Sequence, residues 1–212
     1  MEPVTRARVL IAAAIGGTMV WLCAGCGLFK PAVPEQAVGT VIVGDYSTPD
    51  STLATLARAI DAKGNQGGQD AYMAGLADTT IDGHAFQALF DQATVLRYLS
   101  TNATFPVWLK DPHERNFYGK FASTNGGNGF AMRWGEGQAS DDLSNDSLQI
   151  LYRRYDIFLT HGPTVIDTLV TGYAEFRMIR SGSRWVMWRW IDTEAGAVGN
   201  AISYGELRLR NQ

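Results

Sequence analysis

The stretch Gly172-Tyr173-Ala174-Glu175-Phe176-Arg177-Met178-Ile179-Arg180-Ser181-Gly182-Ser183-Arg184-Trp185-Val186-Met187-Trp188-Arg189-Trp190-Ile191 decides the fold. Two runs rich in aromatic and aliphatic residues flank Ser181-Gly182, a turn dipeptide, so the segment reads as a β-hairpin. With Ser181-Gly182 as a two-residue loop, Met178 faces Trp185, Phe176 faces Met187, Ala174 faces Arg189 and Gly172 faces Ile191. That face is nearly all apolar. The other sets Tyr173, Glu175 and Arg177 against Val186, Trp188 and Trp190, a polar face with unusual aromatic content. The register depends on the loop, because a one-residue slip sends every side chain to the opposite face.

Four runs rich in Tyr, Phe, Trp, Val and Ile are strand-like, residues 147–160, 165–179, 184–192 and 203–210, the second and third being the arms of this hairpin. Gly162-Pro163 separates the first two, which makes consecutive antiparallel hairpins. Phe130 to Trp134 reads as another strand, so the glycines before it, Gly126, Gly127 and Gly129, form a turn and not a phosphate loop, which would need a helix to follow.

Upstream the period changes. Thr48 can cap a helix, Pro49 suits its first position, and Leu53, Leu56, Ala57 and Ile60 share one face. Gly64 to Gly68 breaks it, and Asp70 to Asp78 predicts a short second helix presenting Tyr72, Met73 and Leu76. Residues His84 to Ser100 fit a helix through Phe86, Leu89, Phe90, Ala93 and Leu96, yet His84 to Phe90 fits a strand equally; both readings stay open. Asp111, Pro112 and Glu114 predict a capping box opening a helix with Phe117 and Phe121 on its buried stripe. Helices first and a meander afterwards define an α+β fold, with N-terminal helices packed on a curved antiparallel β-sheet.

The N-terminus supplies an address. Arg6 and Arg8 precede an apolar run of 14 residues, Val9 to Leu22, followed by small residues. A spanning helix needs about 20 apolar residues, so an export signal is the better reading. Leu22, Ala24, Gly25 and Cys26 resemble the lipobox of bacterial lipoproteins, although Cys23 stands where that family carries Leu. The resemblance implies a signal peptide over 1–25, lipidation of Cys26, a tether over 26–47 containing Pro31 and Pro34, and a domain over 48–212 held at the membrane on the extracytoplasmic side. Gly27, in place of a retention Asp, implies outer-membrane delivery in a diderm cell.

Both cysteines of the chain, Cys23 and Cys26, lie in this segment, so the mature domain has no disulfide, thiolate metal site or cysteine nucleophile. The net charge is −3; losing residues 1–25 removes Glu2, Arg6 and Arg8 and leaves −4. With basic residues scattered singly on a mildly acidic chain, nucleic acid is not an expected partner. No His pair has metal-ligand spacing, and neither metal nor cofactor is expected.

The element order, together with Gly172 to Phe176, Gly182 to Trp190 and Ser203-Tyr204-Gly205, resembles the nuclear transport factor 2-like superfamily, which includes SnoaL-like and ketosteroid isomerase-like domains. The resemblance spans residues 48–210. It implies a cone-shaped pocket between helices and sheet, and an outer sheet face used for homodimers, which here would carry Tyr173, Trp188 and Trp190. The superfamily hosts enzymes and inert modules alike, so activity must come from the site.

Candidate site residues are few. Arg189, the one charge expected on the core face of the hairpin, must find an acid such as Asp156 or a ligand carboxylate or phosphate. His84 and Asp156 are the candidate acid–base groups, with Tyr155 and Asp82 as further available types, but none sits in a motif of a catalytic relative. His113 and His161 fall at solvated positions. The expectation is a lipid-anchored, non-catalytic domain binding a small ligand or protein partner. The alternatives are a pocket enzyme of isomerase, dehydratase or hydrolase type, and a purely structural envelope module.

Overall fold

Thr48 opens the first helix as its pattern requires. In the computed structural model, which describes residues 42–62, 66–124, 129–136, 142–161, 165–195 and 201–212, its side chain accepts from Ser51 N–H and the Ser51 hydroxyl accepts in return from Thr48 N–H. Helix α1 (Pro49–Asp61) buries Leu53, Leu56, Ala59 and Ile60. The signal peptide, Cys26, the glycines Gly126 and Gly127, and the Gly162-Pro163 turn lie outside the described residues.

Helix α2 (Gln66–Ala74) begins before the expected Asp70 and contains two of the glycines expected to break the chain. Gly68 is there for closeness: a Cβ would lie 2.7 Å from the Tyr118 hydroxyl and 3.0 Å from the Ala62 carbonyl oxygen. One turn, α3 (Thr79–Asp82), follows and stops at Gly83, whose φ is 70°. The ambiguous stretch holds both elements in succession, β1 (Gln87–Leu89) and α4 (Gln92–Leu99), with Asp91 capping α4 through Thr94 N–H at 2.9 Å.

Strand β2 (Trp108–Leu109) leads into a wide turn, Lys110–Glu114, and then α5 (Arg115–Thr124). The expected capping box does not form. Asp111 is extended (φ −115°, ψ 132°), its bond to Pro112 is cis, its carboxylate pairs with Arg115 at 2.5 Å, and Glu114 turns inward.

The remaining strands are β3 (Gly129–Glu136), β4 (Leu143–Ser144), β5 (Leu148–His161), β6 (Val165–Ser181) and β7 (Arg184–Ala195). Their order is β2-β1-β7-β6-β5-β3, with β4 also on β5. The sheet is antiparallel except that β1 runs parallel to β7. Irregularities at Ile157/Phe158, Tyr173/Ala174 and Arg177/Met178 bend the long strands, as bulges do. The core lies between this sheet and α1, α2 and α5.

Residues 203–210, expected as a strand, form helix α6 (Tyr204–Arg210). Ser203 caps it by accepting from Glu206 N–H at 3.1 Å, and Arg208 with Arg210 sits at its negative end. Residues 42–47, expected as the end of the tether, bind the domain: Tyr46 donates its hydroxyl to the Ala71 carbonyl (2.8 Å), and its own carbonyl accepts from Trp185 N–H (2.6 Å).

Candidate functional site

The hairpin turn falls one residue later than expected, on Gly182-Ser183, with Gly182 at φ 61°. That slip moves each partner by two, pairing Met178 with Met187, and so preserves the faces: Trp185 and Met187 are buried. A bulge opposite Arg177/Met178 then absorbs Trp188 and inverts the rest of β7, so that Phe176 pairs with Trp190, Ala174 with Asp192, and Arg177 with Arg189. Trp190 therefore lies in the core with no exposed surface, and Arg189 moves to the outer face.

The outer face gathers several sequence candidates. Tyr173 is 40% exposed there. Trp188 packs beside Val186 and Ile179, meets the exposed His84 ring at a tilt (centroids 5.4 Å apart, planes at 48°), and underlies the Arg189 guanidinium at 4.8 Å. Arg189 does not meet Asp156, which pairs with Arg154 at 3.0 Å. Glu175 accepts from Tyr152 (3.0 Å) and Arg177 (2.5 Å). His84 and Asp156 are thus outside the cone, and the structure does not bring them together.

Inside the cone the chemistry comes from residues that fit other roles in the sequence. Glu114 is fully buried and receives four donors: the Tyr72 hydroxyl (2.5 Å), the Trp108 indole N–H, and Arg208 through Nε (3.0 Å) and Nη2 (2.9 Å). Tyr204 donates to the Tyr72 hydroxyl at 3.1 Å, since that oxygen gives its own proton to Glu114. The Trp190 and Tyr204 rings stack at 4.4 Å, and the Arg208 guanidinium carbon lies 4.4 Å from each centroid. Burial opposes the charge on Arg208, but Glu114 and the two tyrosines hold its pKa above the ordinary value. Burial, then the Glu114 charge, pushes Tyr72 and Tyr204 well up, so both hydroxyls stay protonated donors.

A second acid lies beside the first group. Asp192 accepts from the Trp190 indole N–H at 2.8 Å, and the Tyr155 hydroxyl, which accepts from Tyr204 N–H (3.1 Å), adjoins it. Burial raises the Asp192 pKa to about 6; the neighbouring Asp91 adds to the shift, while Arg208, Trp190 and Tyr155 oppose it. One oxygen each of Asp91 and Asp192 is buried with no hydrogen-bond partner, as is Nη1 of Arg208.

Carboxylates within reach of Tyr and Trp donors resemble the parts of an acid–base site. Here they are sealed. Tyr72, Trp108, Glu114, Tyr155, Trp190, Tyr204 and Arg208 each expose 1% of their surface or less. Helix α6 is the seal. Among the described residues no three His, Cys, Asp or Glu side chains gather as a metal site. Two signals in the sequence bore on this cluster: Ser203-x-x-Glu206, a helix-start pattern, and the inward-facing charge that an Arg at 208 would bring to a strand.

No protein-family model and no curated protein matches the sequence. Solved structures do. A protein of unknown function from Mycobacterium tuberculosis aligns over 70% of this chain and 70% of its own, at 10% identity and a TM-score of 0.50. ActVI-ORFA from Streptomyces coelicolor aligns over 70% and 94%, at 9% identity and 0.49. A nuclear transport factor 2-like protein of unknown function from Pseudomonas putida aligns over 68% and 82%, at 8% identity and 0.45. At such identities the likeness is one of fold. That fold is an α+β one, helices on a mostly antiparallel sheet, and in this chain the C-terminal helix is packed into the core between them.

Proposed function

We propose that this is a lipid-anchored cell-envelope protein whose nuclear transport factor 2-like domain is a non-catalytic binding module. The observation that supports the second half is the buried interior: Arg208 binds the Glu114 carboxylate and Tyr204 binds the Tyr72 hydroxyl, and all four side chains are buried, so the acid and hydroxyls a reaction would use are already engaged. The first half rests on Cys26 and the apolar segment before it. Acyl chains on that cysteine, each buried methylene adding about 0.8 kcal/mol, would hold the domain at an extracytoplasmic membrane surface, the outer membrane in a diderm cell.

Binding then falls to the outside of the domain. The outer sheet face offers Tyr173, Trp188 and Arg189 to a partner, and a second copy of the chain is the partner its self-pairing charges, Arg154 with Asp156 and Arg177 with Glu175, allow.

Two measurements test the proposal. Mass spectrometry of membrane-extracted protein should find the mature chain starting at Cys26 with acyl chains attached; an unmodified Cys26 refutes the anchor. Hydrogen exchange should find the amides of residues 204–210 as protected as those of β6 and β7. Exchange within seconds would mean that the cone opens, and the pocket-enzyme reading would then replace this one.

A further inference from the structure

Helices α4 and α6 meet over a surface cleft of about 290 Å³ lined by Thr94, Arg97, Tyr98, Glu206, Leu209 and Arg210, with Thr101 at its end. Its charge pattern is unlike that of the chain as a whole. Arg97 binds Oε2 of Glu206 through Nη1, and Arg210 binds Oε1 through Nη2 at 2.5 Å. The carboxylate is deep, 11% exposed, while the arginines stand at the rim, 63% and 60% exposed.

Each guanidinium has five N–H donors in a planar fork, and each spends one nitrogen on Glu206. Neither has a second acid among the described residues. One carboxylate thus fixes two guanidiniums side by side across its own width and leaves a local charge of +1 on a chain whose net charge is −3. An anion arriving from solvent meets N–H edges, because both Glu206 oxygens are already covered. Tyr98, braced against Phe105 at 5.3 Å, and Leu209 supply an apolar wall beside these donors. The hydroxyl of Thr94 is tied below to Ser203 at 3.0 Å and closes the floor.

We infer that this cleft binds the oxyanion of a small ligand, a carboxylate or phosphate monoester carrying an aryl or alkyl group. Arg97 and Arg210 clamp the oxyanion, Glu206 positions the clamp, and Tyr98 with Leu209 covers the apolar part. Two arginines held at one spacing recognise planar or tetrahedral oxyanions better than a mobile pair would, because the cost of ordering them is already met in folding. The inference rests on the binding-module reading in one respect: the ligand sits outside the closed cone.

Phenyl phosphate, inorganic phosphate, hexanoate and phenyltrimethylammonium would be titrated into the protein while backbone amide shifts are followed by NMR. Phenyl phosphate and hexanoate should give saturable shifts confined to α4 and α6 at millimolar concentration, inorganic phosphate should bind more weakly, and the cation should give none. Arg97→Gln and Arg210→Gln, both at exposed positions, should each weaken phenyl phosphate about tenfold or more while leaving the amide spectrum folded. Absent shifts, or shifts that survive both substitutions, overturn the cleft and leave the closed cone standing. Shifts centred on Tyr72, Trp108 and Tyr155 instead would overturn the closed cone as well.

Discussion

Asp192 shows how one buried residue couples this interior to pH. Its pKa rises from the ordinary carboxylate value to about 6 because burial penalises the charged form, and the groups facing it divide: Asp91 of the α4 cap adds to the rise, Arg208 on α6, the Trp190 indole and Tyr155 oppose it. Between about pH 4 and pH 6 the folded chain therefore holds a proton at this site that the unfolded chain has released. Stability from Asp192 is full below that window and is lost as pH rises through it, by on the order of 2 to 3 kcal/mol. Asp192→Asn keeps an acceptor for Trp190 and cannot ionise. The stability of the variant relative to the wild type should climb as pH goes from 4 to 7, read from urea midpoints. Curves that run parallel over that range would show the carboxyl to be ionised and settled throughout.

At the scale of elements, the long strands and α1 were legible because their cause is local: aromatic and β-branched runs between turn residues for β5 and β6, a cap and one apolar stripe for α1. The order of helices before strands gave the α+β class for the same reason. What escaped depends on partners distant in sequence. The bulge that absorbs Trp188 has no turn residue to announce it, and it reverses the meaning of Trp190 and Arg189, so the core face and the candidate anion anchor exchanged places. Glu114 had the spacing of a cap, yet Tyr72, Trp108 and Arg208 draw it inward from three other elements. Helix α6 was hidden by aromatic and aliphatic residues whose period suited a strand, although Ser203 and Glu206 marked its start. Its seating makes a prediction. Gly205 lies so close to β7 and the start of α4 that a Cβ would come within 2.6 Å of Phe90 and 2.8 Å of Asp192. In a free helix Gly→Ala gains about 1 kcal/mol, whereas overpacking costs about 1 to 3. Gly205→Ala should therefore lower stability in urea denaturation; a more stable variant would mean that α6 sits looser than described.

For the molecule as a whole, the consequence of α6 is that the C-terminal ten residues finish the core that the sheet and helices enclose. Tyr204 packs on Trp190, Phe117 and Tyr155, Arg208 binds Glu114, and Leu207 is buried in the same core. A chain ending at Ile202 would leave Glu114 without its guanidinium, and stranding a buried charge costs about 3 to 5 kcal/mol before any lost apolar burial is counted. Domains of this size are stable by roughly 5 to 15 kcal/mol, so the shortened chain should stand near the threshold of folding. It should melt early and broadly and bind a hydrophobic dye strongly, because rings now excluded from water would line an open mouth. Retained cooperative melting with no dye binding would mean that the sheet and helices close the cone unaided. In that event α6 would be a cover over a finished core, and the filling of the interior could no longer support the proposal of a binding module over that of a pocket enzyme.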